Sequence, residues 1–311
     1  MEYAIQAINL TKKYRSILAL DRANINVPKG SIYGLVGPNG AGKTTLMRIF
    51  LGSLFPTDGY FAINGKTESD DLDLERKKIG SIIELPALYD TMSAIDNLIA
   101  RCKLLGISDY IEKSKEILDY VGLGKEGNKK VAKFSLGMKQ RLGIGLALLN
   151  DPEILILDEP TNGLDPIGII EIRNILKKLN SQGVTVLISS HILSELSKFA
   201  THYGILYRGE VVKEVSLEEV CQNCSDSLKI SFGSSDTAKF ALQILSAEFI
   251  ENSVQLINDT TIKVLLNNTS VNSSVVAKIL VDAGLFMTSI ETEKEGFEEY
   301  FLKLINQRGR L

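Results

Sequence analysis

The stretch Gly37-Pro38-Asn39-Gly40-Ala41-Gly42-Lys43-Thr44 matches the pattern G-x-x-x-x-G-K-[ST] without a gap, and Thr45 follows it. The apolar run 31–36 predicts a buried strand before the loop, and a helix is predicted from Gly42 onward. Glycines allow successive backbone N–H groups to turn toward an anion, and the helix start adds the positive end of its dipole. The stretch therefore predicts a loop that holds the phosphates of a nucleotide.

Two side chains of this loop have predicted roles. Lys43 is expected to reach the β- and γ-phosphates, and the Thr44 hydroxyl is expected to ligate Mg²⁺. Kinases, GTPases and transport motors all carry such a loop, so further motifs have to separate them.

Strands alternate with helices around the loop. Residues 154–157 and 184–189 predict buried strands, and residues 167–179 predict an amphipathic helix. This alternation predicts an α/β fold, a P-loop NTPase core whose mostly parallel sheet is covered on both sides. Residues 2–10 and 22–27 predict edge strands of an antiparallel β-subdomain, and residues 86–148 predict a helical insert.

Polar residues end two of the predicted strands. Asp158 and Glu159 directly follow residues 154–157, and His191 closes the strand 184–189. Ligands of open α/β sheets bind at the carboxyl ends of the strands. We expect Asp158 to hold Mg²⁺, Glu159 to polarise an attacking water and His191 to contact the γ-phosphate. With the phosphate loop, these residues predict hydrolysis of a nucleoside triphosphate.

Composition narrows the class of protein. The 311 residues are 44% hydrophobic and 23% charged, and 35 Lys and Arg against 38 Asp and Glu give a net charge of −3. That balance predicts a globular protein of two domains that does not bind nucleic acid. Three cysteines favour a reducing compartment, and no signal peptide or membrane-spanning segment is predicted.

A second domain is predicted after the pattern changes near residue 220. Residues 228–311 read as strand, helix, strand, strand, helix and strand, with one helix appended at 295–305. The order βαββαβ predicts an α+β, ferredoxin-like accessory domain. No catalytic constellation is recognisable there, so dimerisation, regulation and plain packing remain open as its role.

Residues 1–220 resemble the nucleotide-binding subunit of an ATP-binding-cassette (ABC) transporter. Residues 134–141, Phe-Ser-Leu-Gly-Met-Lys-Gln-Arg, look like the family signature LSGGQ-x-QR. In that family two subunits dimerise head to tail, and the resemblance implies that Ser135 and Gly137 close over the ATP of the other subunit. It also implies that Tyr14 stacks on adenine and that Asp165 couples the two sites.

Two departures from the family pattern point to a subgroup. The signature carries Leu136 and Met138 where glycine and glutamine are usual, and Glu84 stands where a glutamine usually contacts the nucleotide and its metal. The resemblance therefore implies that Glu84 is an ATP-binding residue and a charged Mg²⁺ ligand. Both departures are similar to those of bacitracin-resistance and lantibiotic-immunity transporters.

The subgroup implies an ATPase that exports antimicrobial peptides from a bacterium. It would lie on the cytoplasmic face of the membrane, bind ATP and Mg²⁺, and pair with a separate integral-membrane permease as a homodimer or heterodimer. Two alternatives remain: an exporter ATPase for another drug or a lipid, and a soluble ABC ATPase acting on ribosomes or chromosomes.

Overall fold

The computed structural model describes residues 2–223, 226–248, 254–266, 273–294 and 300–301. The chain divides into two compact units between Leu217 and Glu218. None of the helices within the described ranges is long and apolar enough to cross a bilayer.

The first unit is built on a six-stranded sheet. In spatial order its strands are β5 (Ile79–Ile82), β6 (Ile154–Leu157), β7 (Thr185–Ser190), β3 (Ile32–Val36), β8 (His202–Tyr207) and β9 (Glu210–Ser216). The first five run parallel and β9 is antiparallel to β8. Every residue of β3, β6 and β7 is buried, as expected for strands covered on both faces. The predicted parallel sheet is confirmed.

A second, antiparallel sheet has the order β2 (Ile17–Pro28), β1 (Tyr3–Tyr14), β4 (Asp58–Ile63). The prediction that residues 2–10 form an edge strand is wrong, because β1 pairs with β2 on one side and with β4 on the other. Loose alternation of apolar and polar residues does not reveal this second partner. The two sheets share a hydrophobic core with the helix that follows the phosphate loop.

Helices connect the strands of the first unit. They are α1 (Lys43–Phe50), α2 (Ser69–Arg76), α3 (Ala94–Leu105), α4 (Tyr110–Tyr120), α5 (Leu136–Leu148), α6 (Pro166–Ser181) and α7 (Leu193–Leu196). Helices α3, α4 and α5 form the predicted insert between β5 and β6, with 3₁₀ turns between α4 and α5.

Glycine lets α5 pack closely against its surroundings. A Cβ atom at Gly143 would lie 2.4 Å from Cβ of Pro86, and one at Gly80 of β5 would lie 2.2 Å from the carbonyl oxygen of Ala147. Both distances are shorter than van der Waals contact, so these positions admit no side chain without movement. Glycine has a lower helix propensity than alanine, so Gly143 weakens α5 locally while it permits this close approach.

A buried polar contact joins the two sheets. The Tyr33 hydroxyl of β3 donates to Oε1 of Glu214 in β9 at 2.6 Å. Glu214 also accepts from the backbone N–H and the side-chain amide of Asn26 in β2, at 2.7 and 2.8 Å. Burial and the neighbouring Glu214 carboxylate raise the pKa of Tyr33 well above its usual value.

The second unit has the element order α8 (Leu217–Asn223), β10 (Asp226–Phe232), α9 (Ser235–Glu248), β11 (Val254–Asn258), β12 (Thr261–Leu266), α10 (Ser273–Asp282), β13 (Met287–Lys294). From β10 onward this is the predicted order βαββαβ, in an antiparallel sheet of order β11-β12-β10-β13. Alternate residues of β10 and β12 pack with both helices in one apolar core. The ferredoxin-like classification stays a prediction, and most of the appended helix 295–305 lies outside the described residues.

We predict that Gly143→Ala lowers the stability of the first unit by up to about 2 kcal/mol. The gain in helix propensity of about 1 kcal/mol is outweighed by overpacking against Pro86, which costs about 1–3 kcal/mol. Thermal unfolding measures the change. The matched control is Gly137→Ala in the same helix, where the nearest atom to a new Cβ lies 3.8 Å away. Equal melting temperatures for the two variants would contradict the packing argument.

We predict that Tyr33→Phe destabilises the fold by about 1.5–3 kcal/mol at neutral pH, since it removes a hydrogen bond to a charged group. Because the folded-state pKa of Tyr33 is raised, its contribution is fully present below the unfolded pKa of about 10 and declines above it. Denaturant unfolding at about pH 8 and about pH 11 should therefore show the gap to wild type shrinking at the higher pH. Tyr60→Phe, at an exposed ring, is the control, and a gap independent of pH would contradict the assignment.

Candidate active site

The phosphate loop leaves β3 and enters α1 in a conformation that requires glycine. Gly42 has φ +109°, and a Cβ there would lie 2.6 Å from the carbonyl oxygen of Ala19. At Gly37 a Cβ would lie 2.2 Å from the carbonyl oxygen of Leu206. The backbone is thus wedged between β2 and β8, which explains why the motif tolerates no side chain at these two positions.

Lys43, the first residue of α1, points back into the loop. Its ammonium group donates to the carbonyl oxygens of Gly37 at 2.6 Å and Pro38 at 3.2 Å. The side chain is only 6% exposed, so its charge lies in a largely water-excluded position. A buried cation at the start of a helix attracts phosphate strongly.

Thr44 and Asp158 meet at the ends of neighbouring elements. The Thr44 hydroxyl donates to Oδ2 of Asp158 at 2.6 Å. The other carboxylate oxygen accepts from the Ser189 hydroxyl at 2.5 Å, and Ser189 in turn accepts from the backbone N–H of Glu159 at 2.9 Å. The Asp158 carboxylate, which follows β6, is therefore oriented by hydroxyl donors from the start of α1 and the end of β7.

The oxygen atoms of Thr44 and Asp158 suit a small hard cation. Magnesium favours oxygen ligands, keeps several waters and takes only one or two ligands from the protein beside phosphate oxygens. No cluster of three or more His, Cys, Asp or Glu residues that could hold a metal occurs in the part of the chain that the structure describes. These two residues thus fit a metal that is shared with a nucleotide and do not form a complete protein cage.

The Glu159 carboxylate lies between two nitrogen groups. Its Oε1 is 3.2 Å from Nζ of Lys43, and its Oε2 is 2.7 Å from Nδ1 of His191. Oε1 is buried and, among the described residues, accepts no hydrogen bond, so its contact with Lys43 is ionic. Glu159 itself has φ +49°, a conformation that non-glycine residues rarely adopt. Because Oε1 accepts no hydrogen bond among the described residues, this carboxylate can accept one from a water beside the phosphate loop once Lys43 turns to a phosphate.

The structure does not place Glu84 with Thr44 and Asp158. Its carboxylate makes an ion pair with Arg48 of α1 at 2.7 Å, and its side chain is 65% exposed. Glu84 follows β5 with φ +64°. The Glu84 carboxylate, which the sequence predicts as a Mg²⁺ ligand, is therefore paired with Arg48 in this conformation.

The remaining predicted residues lie at the margins of the loop or on other elements. Tyr14 ends β1 with an exposed ring, 5.2 Å from the Lys12 ammonium group. Ser135 is the N-cap of α5 and accepts from the N–H of Met138 at 3.2 Å. Asp165 caps α6 by accepting from the N–H of Gly168 at 2.8 Å.

Two residues that contact the site were missed in the sequence. Ser189 orients Asp158, and Arg48 pairs with Glu84. A signal for the first existed, because Ser189 and Ser190 end an otherwise apolar strand next to His191. Nothing in the sequence pairs Arg48 with a residue 36 positions away.

Comparisons with known proteins identify the family to which this chain belongs. The family model described as "ABC transporter" matches residues 20–162. The bacitracin transport ATP-binding protein BcrA of Enterococcus faecalis is 41% identical over 99% of this chain and 98% of its own length. The lantibiotic transport ATP-binding protein SrtF of Streptococcus pyogenes is 47% identical over 69% of this chain and 94% of its own.

A solved structure is similar to this chain in both fold and sequence. The dimeric, post-hydrolysis form of the ATP-binding cassette MJ0796 bound to ADP and Pi matches with a TM-score of 0.61 and 29% identity, over 68% of this chain and 98% of that one. The chain therefore belongs to the ABC transporter family, as a subunit that binds and hydrolyses ATP.

Proposed function

We propose that this ATPase powers the export of antimicrobial peptides related to bacitracin and the lantibiotics. The observation that supports the cargo is the likeness to a bacitracin transport ATP-binding protein, which extends over 99% of this chain. The likeness to a lantibiotic transport ATP-binding protein supports the same class of cargo. The chain would act on the cytoplasmic face of a bacterial membrane, with a separate permease.

The proposed reaction is attack of water on the γ-phosphorus of ATP, with cleavage of its bond to the bridging oxygen of ADP. Lys43 and the loop amides hold the phosphate oxygens, and ATP displaces the Lys43 ammonium group from its contact with Glu159. Glu159 orients the water and accepts its hydrogen bond, while His191 holds the Glu159 carboxylate on one side. Placement and electrostatics supply most of the rate enhancement.

We propose that Thr44 and Asp158 hold Mg²⁺, since their oxygen atoms lie 2.6 Å apart beside the phosphate loop. When bound, the ion offsets negative charge on the β- and γ-phosphates. Glu84 would join this set only after release from Arg48.

A second subunit is proposed to complete the site, with Ser135 and Gly137 contributed across the interface. Both lie at the N-terminal end of α5, where backbone N–H groups favour an anion. The partner is a second copy or a sister subunit. Exposed side chains at Leu136 and Ile167 lie on the same elements as Ser135 and Asp165 and suit such a contact.

The cargo is tested by expressing the chain with its permease in a peptide-sensitive bacterium. Resistance to bacitracin or a lantibiotic should rise severalfold and should vanish when Lys43 is replaced by Ala. Resistance only to a non-peptide drug, with none to either peptide, would replace the proposed cargo by the alternative one.

We predict that Glu159→Gln lowers kcat for ATP hydrolysis by at least about 100-fold, because the amide cannot accept a proton. ATP affinity should change by less than about threefold, since Lys43 and the loop remain in place. Phosphate release and nucleotide binding measure the two effects. The matched control is Glu153→Gln at the opposite end of β6, and hydrolysis by Glu159→Gln at the wild-type rate would remove Glu159 from this role.

We predict that Glu84→Gln retains ATP hydrolysis within about threefold and changes stability by less than about 1 kcal/mol, since exposed ion pairs contribute little. Arg48→Gln breaks the same pair from the other side and should give a similar stability. Steady-state hydrolysis and thermal unfolding provide the measurements. A complete loss of hydrolysis in Glu84→Gln alone would give the carboxylate a dedicated role at the metal.

A further inference from the structure

Two segments that carry the proposed catalytic groups run side by side. The acidic segment, residues 158–165, follows β6, and the switch segment, residues 189–196, contains the end of β7 and α7. They are joined first where Ser189 contacts Asp158 and the N–H of Glu159, and again where His191 contacts Glu159. Both of these contacts belong to the site described above.

A third contact joins the same segments away from the phosphate loop. The Thr161 hydroxyl donates to Oε2 of Glu195 at 2.8 Å. Thr161 is 9% exposed, so its hydroxyl lies where a lost partner is costly. Nothing in the proposed hydrolysis mechanism uses this hydrogen bond.

The surroundings fix the direction of the Glu195 carboxylate. Helix α7 has four residues, too few to be stable on its own. It is held by Leu193 and Leu196, which are 6% and 1% exposed, and the Leu196 side chain packs against Gly34 of β3. Glu195 projects from this anchored turn toward the acidic segment.

Thr161 occupies a tight turn between Glu159 and Asp165. The N–H of Asn162 donates to the carbonyl oxygen of Glu159 at 3.1 Å, and that of Leu164 donates to the carbonyl oxygen of Thr161 at 3.2 Å. Asp165 then caps α6. A restraint on the Thr161 side chain therefore acts on the turn between Glu159, the proposed general base, and Asp165, which is expected to lie at the subunit interface.

We propose that Glu195 is a positioning residue that couples the His191 segment to the Thr161 turn, so that the two segments change conformation together. The inference rests on the proposed roles of Glu159 and His191 and adds a restraint that acts through Thr161. The Thr161 hydroxyl donates to a carboxylate, and hydrogen bonds to charged acceptors are stronger than those between neutral groups. Such a bond can persist while the neighbouring contacts of Ser189 and His191 change.

Substitution of Thr161 separates this role from folding. Thr161→Val keeps the shape and removes the donor, whereas Thr161→Ser keeps the donor. We expect Thr161→Val to lower kcat about 10- to 100-fold by misplacing Glu159 and His191, with KM for ATP within about threefold of wild type. Thr161→Ser should restore kcat to within about threefold of wild type.

The matched control is Thr185→Val at the start of β7. Thr185 is 3% exposed and its hydroxyl accepts from the N–H of Gly30 at 2.9 Å, so the change removes a comparable buried hydrogen bond far along the strand from His191. It should lower the melting temperature while leaving kcat unchanged.

A double-mutant cycle completes the test. If the Thr161–Glu195 bond is the route, Thr161→Val with Glu195→Ala should lower kcat no further than the more impaired single variant. Wild-type kcat in Thr161→Val, or full additivity of the two changes, would overturn the proposal. The parallel Glu159→Gln measurement keeps the two proposals apart. Hydrolysis at the wild-type rate in Glu159→Gln would remove the proposed role of Glu159, whereas a stall there with wild-type kcat in Thr161→Val would remove only the coupling.

Discussion

The Glu159 carboxylate is held between the Lys43 ammonium group and the His191 ring, and the rest of the site is organised around that contact. The three side chains come from α1, from the end of β6 and from the end of β7. They meet because β3, β7 and β6 are parallel neighbours, so their carboxyl ends reach the same edge of the sheet. The fold thereby brings together an ammonium group, a carboxylate and an imidazole ring that no single element could provide.

The local backbone at the site is also unusual. Glu159 has a positive φ, and Gly42 occupies a conformation in which a side chain would strike Ala19. Conformations of this kind persist only when surrounding packing holds them, and they are common at functional sites. Here the loop is held between β2 and β8, whose Ala19 and Leu206 carbonyl oxygens lie close to Gly42 and Gly37.

The sequence predicts those parts of the molecule that depend on the pattern of apolar and polar residues within one short segment. The phosphate loop, Asp158, Glu159 and His191 were placed correctly at strand ends, because apolar runs that stop abruptly at polar residues mark buried strands. The central position of β1, the Arg48 partner of Glu84 and the Thr161 partner of Glu195 depend on pairing between distant segments. Spacing along the chain contains no information on such pairs, so these features emerged only from the structure.

The contact between Gly143 and Pro86 has a mechanical consequence. Pro86 lies two residues beyond Glu84, and Gly143 lies two turns along the helix that Ser135 caps. The helix backbone and this segment are therefore in direct contact, with no room for even a methyl group between them. A displacement of the segment that carries Glu84 therefore has to be accommodated by the backbone of α5, since no helix side chain lies between them to change its rotamer.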